Sequence, residues 1–224
     1  MHMKDSQIND FLSTKKGISD MNYKQLTVYV VDDDAAIRDT LSLLLHTEGY
    51  AVEAFASGTE FLDNWTREKR GCLILDINLP EISGLDVQHI LSEKSIRLPI
   101  IFLTGVGNVS KSSTAFKAGA IDFLEKPVES GLLIDGVNEA LKISAQMHQD
   151  ELKQNQVNAL YGHLTPREKE IIVFLARGYS AKQVGKALGI SHRTAEIHRA
   201  RIMEKLGAQS LADLVALAIQ MGVR

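Results

Sequence analysis

The chain has 224 residues, 45% of them hydrophobic and 24% charged, the balance of an ordinary globular protein of one or two domains. Its single cysteine, Cys72, excludes a disulfide framework and a cysteine-rich zinc site, and no apolar run reaches the roughly 20 residues that a membrane-spanning helix needs. The net charge of −3 is unevenly spread: residues 1–145 hold 21 acidic and 14 basic side chains and residues 146–224 hold 7 and 11, so a basic part suited to nucleic acid follows an acidic one.

Residues 1–25 are polar, without periodicity and without the apolar core of a signal peptide, and read as a mobile extension of a cytoplasmic protein. Thr27 to Val31 (TVYVV) is β-branched and aromatic, as strands are, and ends in Asp32-Asp33-Asp34. Ile37, Leu41, Leu44 and Leu45 then trace a helix closed by Gly49. A strand from Ala51 to Phe55 follows, and Ser57 with Glu60 spells a capping box opening a helix through Phe61, Leu62 and Trp65. Cys72-Leu73-Ile74-Leu75 is apolar without interruption, the texture of a strand covered on both faces, and it runs into Asp76. A helix from about Gly84 to Lys94, a strand from Pro99 to Leu103 ending at Thr104, a serine-rich weak helix over 108–118 and a strand from Ala120 to Leu124 complete the alternation, with a last helix from Glu129. Five strands alternating with helices predict an α/β fold with a doubly wound parallel sheet over residues 26–143.

Residues 144–163 are the predicted linker, polar and, over 144–160, free of proline and glycine and compatible with a helix. They read either as a semi-rigid helical linker, self-pairing through Met147, Leu152 and Val157, or as a disordered tether. From Leu164 to the end four short helices are predicted, a small all-α domain. Thr165-Pro166-Arg167-Glu168 is a capping box with proline at the first helical position, Ser180 to Gln183 repeats the box, Ser191 caps the third helix after a break at Leu188-Gly189-Ile190, and Ser210 caps the fourth. Two short helices across a glycine turn, the second carrying Arg193, Arg199 and Arg201, fit a helix-turn-helix.

Chemistry gathers at one edge of the predicted sheet. Asp32 and Asp33 follow the first strand, Asp76 the third, Thr104 the fourth and Lys126 the fifth, and open α/β sheets bind ligands outside these carboxyl ends. An isolated aspartate such as Asp76 reads more readily as turn chemistry than as a site; five such residues at successive strand ends do not. Three clustered carboxylates need a counter-ion, and oxygen-only ligands suit Mg²⁺. Such an ion would offset a phosphoryl group arriving on Asp76, with Lys126 and the Thr104 hydroxyl holding its other oxygens.

VVDDD, LILDINLPEISG, FLTG and DFLEKP, in that order and spacing, closely resemble the receiver domain of two-component response regulators. LTPREKEII followed by GYSAKQVGKALGISHRTAEIHRARIMEKL resembles the helix-turn-helix of the LuxR/NarL class, so residues 26–224 are similar to NarL/FixJ-type regulators, FixJ-like in particular. The resemblance implies a flavodoxin/CheY-like receiver and a transcription regulator rather than an enzyme. It implies phosphorylation of Asp76 by a partner histidine kinase, Asp32, Asp33, Asp76 and the Asn78 main-chain carbonyl as ligands of Mg²⁺, Thr104 and Lys126 as sensors of the phosphoryl group, and Phe123 as the aromatic that relays the change. It further implies a homodimer on phosphorylation, promoter DNA and RNA polymerase as partners, and no membrane. Two positions depart from the family pattern. Val106 is apolar where relatives often carry a polar residue, which predicts slow phosphoryl loss. Ser112 and Ser113 stand where FixJ-like relatives are more apolar, which predicts a weaker dimer face.

In the third helix of the C-terminal domain Ala195, His198, Ile202 and Leu206 mark the packed face, with His198 read as a packing residue. The outward face carries Arg193, Glu196, Ile197, Ala200, Arg201 and Glu204. Arg193 suits a guanine edge, Glu196 a cytosine amino group and Ile197 a thymine methyl, whereas Lys182, Lys186, Arg199 and Lys205 suit phosphates. Two other readings compete. A haloacid-dehalogenase-type phosphatase wants an aspartate two residues after its nucleophile, and that position is Asn78. A receiver deaf to phosphate would leave a constitutive DNA binder, which the five strand-end residues disfavour.

Overall fold

The structure, a computed structural model, describes residues 26–105 and 120–223. The weak helix expected over 108–118, the N-terminal extension, Val106, Ser112 and Ser113 lie outside them. The described residues fall into two compact units that divide at Asp150.

In the first unit strands β1 (Thr27–Val31), β2 (Ala51–Phe55), β3 (Gly71–Asp76), β4 (Ile100–Thr104) and β5 (Asp122–Glu125) form one parallel sheet in the order β2-β1-β3-β4-β5. Alternate strand residues face opposite layers. Val28, Val30, Cys72, Ile74, Ile101 and Leu103 meet Leu41 and Leu45 of α1 (Ala35–Thr47) and Leu133, Val137 and Leu141 of α4 (Ser130–Gly162). Tyr29, Val31, Leu73, Leu75 and Phe102 meet Phe61 of α2 (Gly58–Asp63) and Val87 and Leu91 of α3 (Gly84–Glu93). With helices on both faces, β3 is buried along all six residues, which is why its sequence shows no polar alternation.

Two local expectations shift. Ser57 caps α2 by accepting from the Glu60 N–H, but the Glu60 carboxylate reaches past Ser57 to the Ala56 N–H at 2.8 Å, so the reciprocal half of the capping box is absent. The fifth strand runs Asp122–Glu125 rather than Ala120–Leu124, because its ladder begins where Ile101 of β4 offers a partner to Asp122.

The second unit holds α5 (Pro166–Ala176), α6 (Ala181–Leu188), α7 (His192–Leu206) and α8 (Leu211–Gln220) around Leu164, Ile171, Ile172, Leu175, Val184, Ile202 and Leu214. The expected caps form: Thr165 with Glu168 and Ser180 with Gln183 are full capping boxes, Ser191 accepts from the Thr194 N–H, and Ser210 makes a box with Asp213. Gly189 ends α6 at φ 66°, a left-handed conformation that costs glycine little and other residues more. Helix α4 continues unbroken through residues 144–162, so this segment is helical. Met147 and Leu152 are exposed on it, but Val157 is buried within its own chain and is not free to self-pair as expected.

Candidate functional site

Three consecutive aspartates follow β1, and each is used differently. Asp32 is buried; its Oδ1 accepts from the Asp34 N–H at 3.0 Å and its Oδ2 lies 2.6 Å from the Lys126 ammonium. Asp33 is exposed. Asp34 caps α1, its Oδ1 accepting from the N–H groups of Ala36 and Ile37. At the end of β3, Asp76 accepts from the Asn78 N–H at 3.0 Å through Oδ1 and from Lys126 at 2.7 Å through Oδ2. The main chain here is tightly packed: a Cβ on Gly84 would stand 2.3 Å from the Asp76 carbonyl oxygen, so α3 can start beside the strand end because that residue is glycine.

Lys126 thus bridges Asp32 and Asp76, reaching in from the loop after β5, where the Lys126–Pro127 bond is cis. Burial pushes the Asp32 carboxyl above its ordinary value, against the lowering effect of Lys126 and the Asp34 N–H. Burial alone would lower Lys126, but the two carboxylates outweigh it and its ammonium is held above the usual range. Carboxylate oxygens of Asp32, Asp33 and Asp76 lie within 4.8 Å of one another. An all-oxygen, net-negative donor set of this size fits a hard divalent ion such as Mg²⁺.

Thr104 is buried one residue beyond Leu103, the partner of Asp76 on β4, and its hydroxyl donates to the Gly105 carbonyl at 3.1 Å. Phe123 stacks on Phe102 with ring centroids 5.3 Å apart, tilted by 21°. The strand ends therefore bring together Asp32, Asp33, Asp76, Asn78, Thr104 and Lys126 on one edge, with Phe123 on the neighbouring strand. One participant has no place in the expected set. Arg38 Nη1 donates to the main-chain carbonyls of Asp32 at 2.7 Å and Asp33 at 3.0 Å. Its signal in the sequence is an arginine in the first turns of a helix, where the helix dipole disfavours a cation.

In the second unit α7 packs Ala195, Ile202 and Leu206 inward and leaves Arg193, Ile197, Ala200, Arg201 and Glu204 exposed, with Ile197 45% accessible. His198 is half-buried on the packed side, as expected of a packing residue. Lys182 and Lys186 are exposed on α6. Glu196 pairs with Arg199 at 2.9 Å, so a base contact by this carboxylate would first have to part them. Lys205 departs from expectation. Its ammonium lies 2.6 Å from the buried carboxylate of Glu168 and 3.3 Å from the His163 carbonyl, and a cation tied to a buried anion is not a free phosphate contact. Glu168 in turn accepts from the Thr165 N–H at 2.8 Å. Burial would raise Glu168, but Lys205 and Thr165 hold it below its ordinary value. The local pattern around Lys205 carries no sign of this partner, which stands 37 residues earlier in the chain.

A doubly wound sheet with carboxylates, a lysine and a threonine at its strand ends, in one chain with a capped helix-turn-helix, defines a regulator with separate input and DNA-binding modules. The model of the response regulator receiver domain matches residues 28–138, and that of bacterial regulatory proteins of the luxR family matches residues 162–218. The response regulator protein TodT of Pseudomonas putida is 39% identical over 199 residues, spanning 89% of this chain and 88% of that one. The transcriptional regulatory protein FixJ of Azorhizobium caulinodans is 38% identical over 200 residues, spanning 89% and 95%. Among solved structures the response regulator StyR is similar at a TM-score of 0.79 and 39% identity, over 88% of this chain and 99% of that one. The chain belongs to the two-component response regulators that join a receiver domain to a LuxR-type helix-turn-helix domain, and it is a transcriptional regulator.

Proposed function

We propose that Asp76 accepts a phosphoryl group from the phosphohistidine of a partner kinase, and that the phosphorylated chain pairs with a second copy and binds promoter DNA. The observation that carries this reading is the Lys126 ammonium bridging Asp32 and Asp76 beside Asp33: a pocket that stays net-negative, with one of its carboxylates at the end of the central strand β3. In the transfer an Asp76 oxygen attacks phosphorus, an O–P bond forms, and the P–N bond to the kinase histidine breaks with its electron pair returning to the ring. Mg²⁺, bound by Asp32, Asp33, Asp76 and the Asn78 main-chain carbonyl, would offset the charge of the arriving group. Lys126 then moves one of its N–H donors from carboxylate to phosphoryl oxygen, and Thr104 turns its hydroxyl from the Gly105 carbonyl toward the same group. Phe123, stacked on Phe102 two residues before Thr104 on β4, is the side chain that follows this turn.

Surface chemistry supports the partners. On α1, Thr40 and Thr47 bond their hydroxyls back to the Ala36 and Leu43 carbonyls, so this side of the helix offers methyl groups and Leu43, 70% exposed, to the kinase. On α8, Leu211 and the 67% exposed Ile219 lie two turns apart on one side, an apolar stripe suited to a second copy. On DNA, Arg193, Ile197, Ala200 and Arg201 of α7 would enter the major groove, with Glu196 released from Arg199 to accept from a base, and Lys182, Lys186 and Arg199 on phosphates. RNA polymerase is the partner such a promoter-bound pair would engage, in the cytoplasm.

Intact-mass measurement after incubation with acetyl phosphate and Mg²⁺, with sedimentation of the same samples, tests the reading. One stable phosphate on the wild type, none on Asp76→Asn, and a shift toward dimer are expected. Labelling of the Asp76→Asn variant, or continuous release of inorganic phosphate without a stable adduct, would sink it.

A further inference from the structure

Among the described residues, Arg38 spends its guanidinium on the main chain of the acidic loop and on no carboxylate. One nitrogen, Nη1, donates to the carbonyls of both Asp32 and Asp33, at 2.7 and 3.0 Å. The residue stands at the fourth position of α1 after its Asp34 cap, where the helix dipole works against a positive charge, so its placement calls for a local reason.

Asp32 is aimed from its side-chain end, by Lys126 and by the Asp34 N–H. The Asp33 carboxylate is exposed and has no hydrogen bond or ion pair of its own among the described residues. Its direction therefore rests on the backbone that carries it, and Arg38 holds that backbone. We infer that Arg38 is a positioning residue of the Mg²⁺ pocket, clamping the two carbonyls so that the Asp33 carboxylate converges with Asp32 and Asp76. The inference rests on the pocket reading of the proposed function.

Two physical effects of removing Arg38 oppose each other, which makes the proposal testable by sign. By Coulomb's law alone, deleting a nearby positive charge tightens binding of a divalent cation. By positioning, it loosens binding, and loss of a group that orients a metal ligand typically costs about 10–100-fold in affinity. The test is calorimetric titration of the full chain with Mg²⁺ alone, comparing wild type, Arg38→Met and Arg38→Lys, with circular dichroism as the check on folding. Weaker Mg²⁺ binding by about 10-fold or more is expected for Arg38→Met, with Arg38→Lys between the two. Acetyl-phosphate labelling should then need more Mg²⁺ for half its maximal rate while reaching a near-normal maximum.

Tighter or unchanged Mg²⁺ binding in a folded Arg38→Met variant overturns the inference while leaving the pocket intact. If that variant does not fold, Arg38→Lys decides, and wild-type affinity in it overturns the proposal. A wild type that takes up no Mg²⁺ overturns this inference and the pocket together.

Discussion

Lys126 occupies the place a counter-ion would take, and its two ion pairs explain how Asp32 can be buried beside Asp76 without mutual expulsion. A second buried carboxylate, Glu168, meets the same problem in the DNA-binding unit and solves it with Lys205 and the Thr165 cap. Burial works to raise Glu168, but its partners win and the folded-state value lies below the ordinary 4.5. A carboxyl lowered on folding contributes stability above its unfolded value and loses it as pH falls through the folded one. Amide exchange at Ile171, Ile172 and Ile202 should therefore accelerate as pH drops below 4.5, after correction for intrinsic rates, and Glu168→Gln should flatten that dependence. In Glu168→Gln the charge-assisted bond to Lys205 is lost, at a cost of about 1–3 kcal/mol. An unchanged pH profile in the variant would show that the pair is electrostatically idle.

Among the elements, those written in short-range chemistry were legible in the sequence. Thr165, Ser180, Ser191 and Ser210 all cap as their spacing implies, and the apolar run before Asp76 is the central, doubly covered strand. What the sequence hides depends on partners distant in the chain. Lys205 has the position of a phosphate contact but belongs to Glu168, Val157 is buried rather than free, and β5 starts where β4 allows. The role of Arg38 is faint in the sequence because its partners are carbonyl oxygens, which every residue carries. The helix-turn-helix of α6 and α7 offers a direct comparison. Each phosphate neutralised by a cation steepens the salt dependence of DNA affinity by about 0.9 in log–log slope. Lys182→Ala and Lys186→Ala should each make the slope shallower by about one, by fluorescence anisotropy on a fixed duplex. Lys205→Met should leave the slope alone while destabilising the fold, and a shallower slope for it would restore Lys205 to the DNA contacts.

At the scale of the whole chain, an acidic receiver and a basic DNA-binding unit share one helix, α4, which runs 33 residues without a proline or a break. At about 1.5 Å per residue such a helix is about 50 Å long, and each added residue rotates the downstream chain by about 100°. Residues 150–156 are all exposed, so alanines inserted after Leu152 disturb no core. The phosphorylation-dependent change in promoter output, measured with one to seven inserted alanines, should fall at two, where the turn is about 200°, and recover at seven, close to two full turns. Indifference to the number inserted would mark the segment as a simple tether. If the insertions prove periodic, a DNA-binding unit exchanged between such regulators would keep its response only where the new junction preserves the residue count of the helix, and a permissive splice point would be set by length rather than by composition.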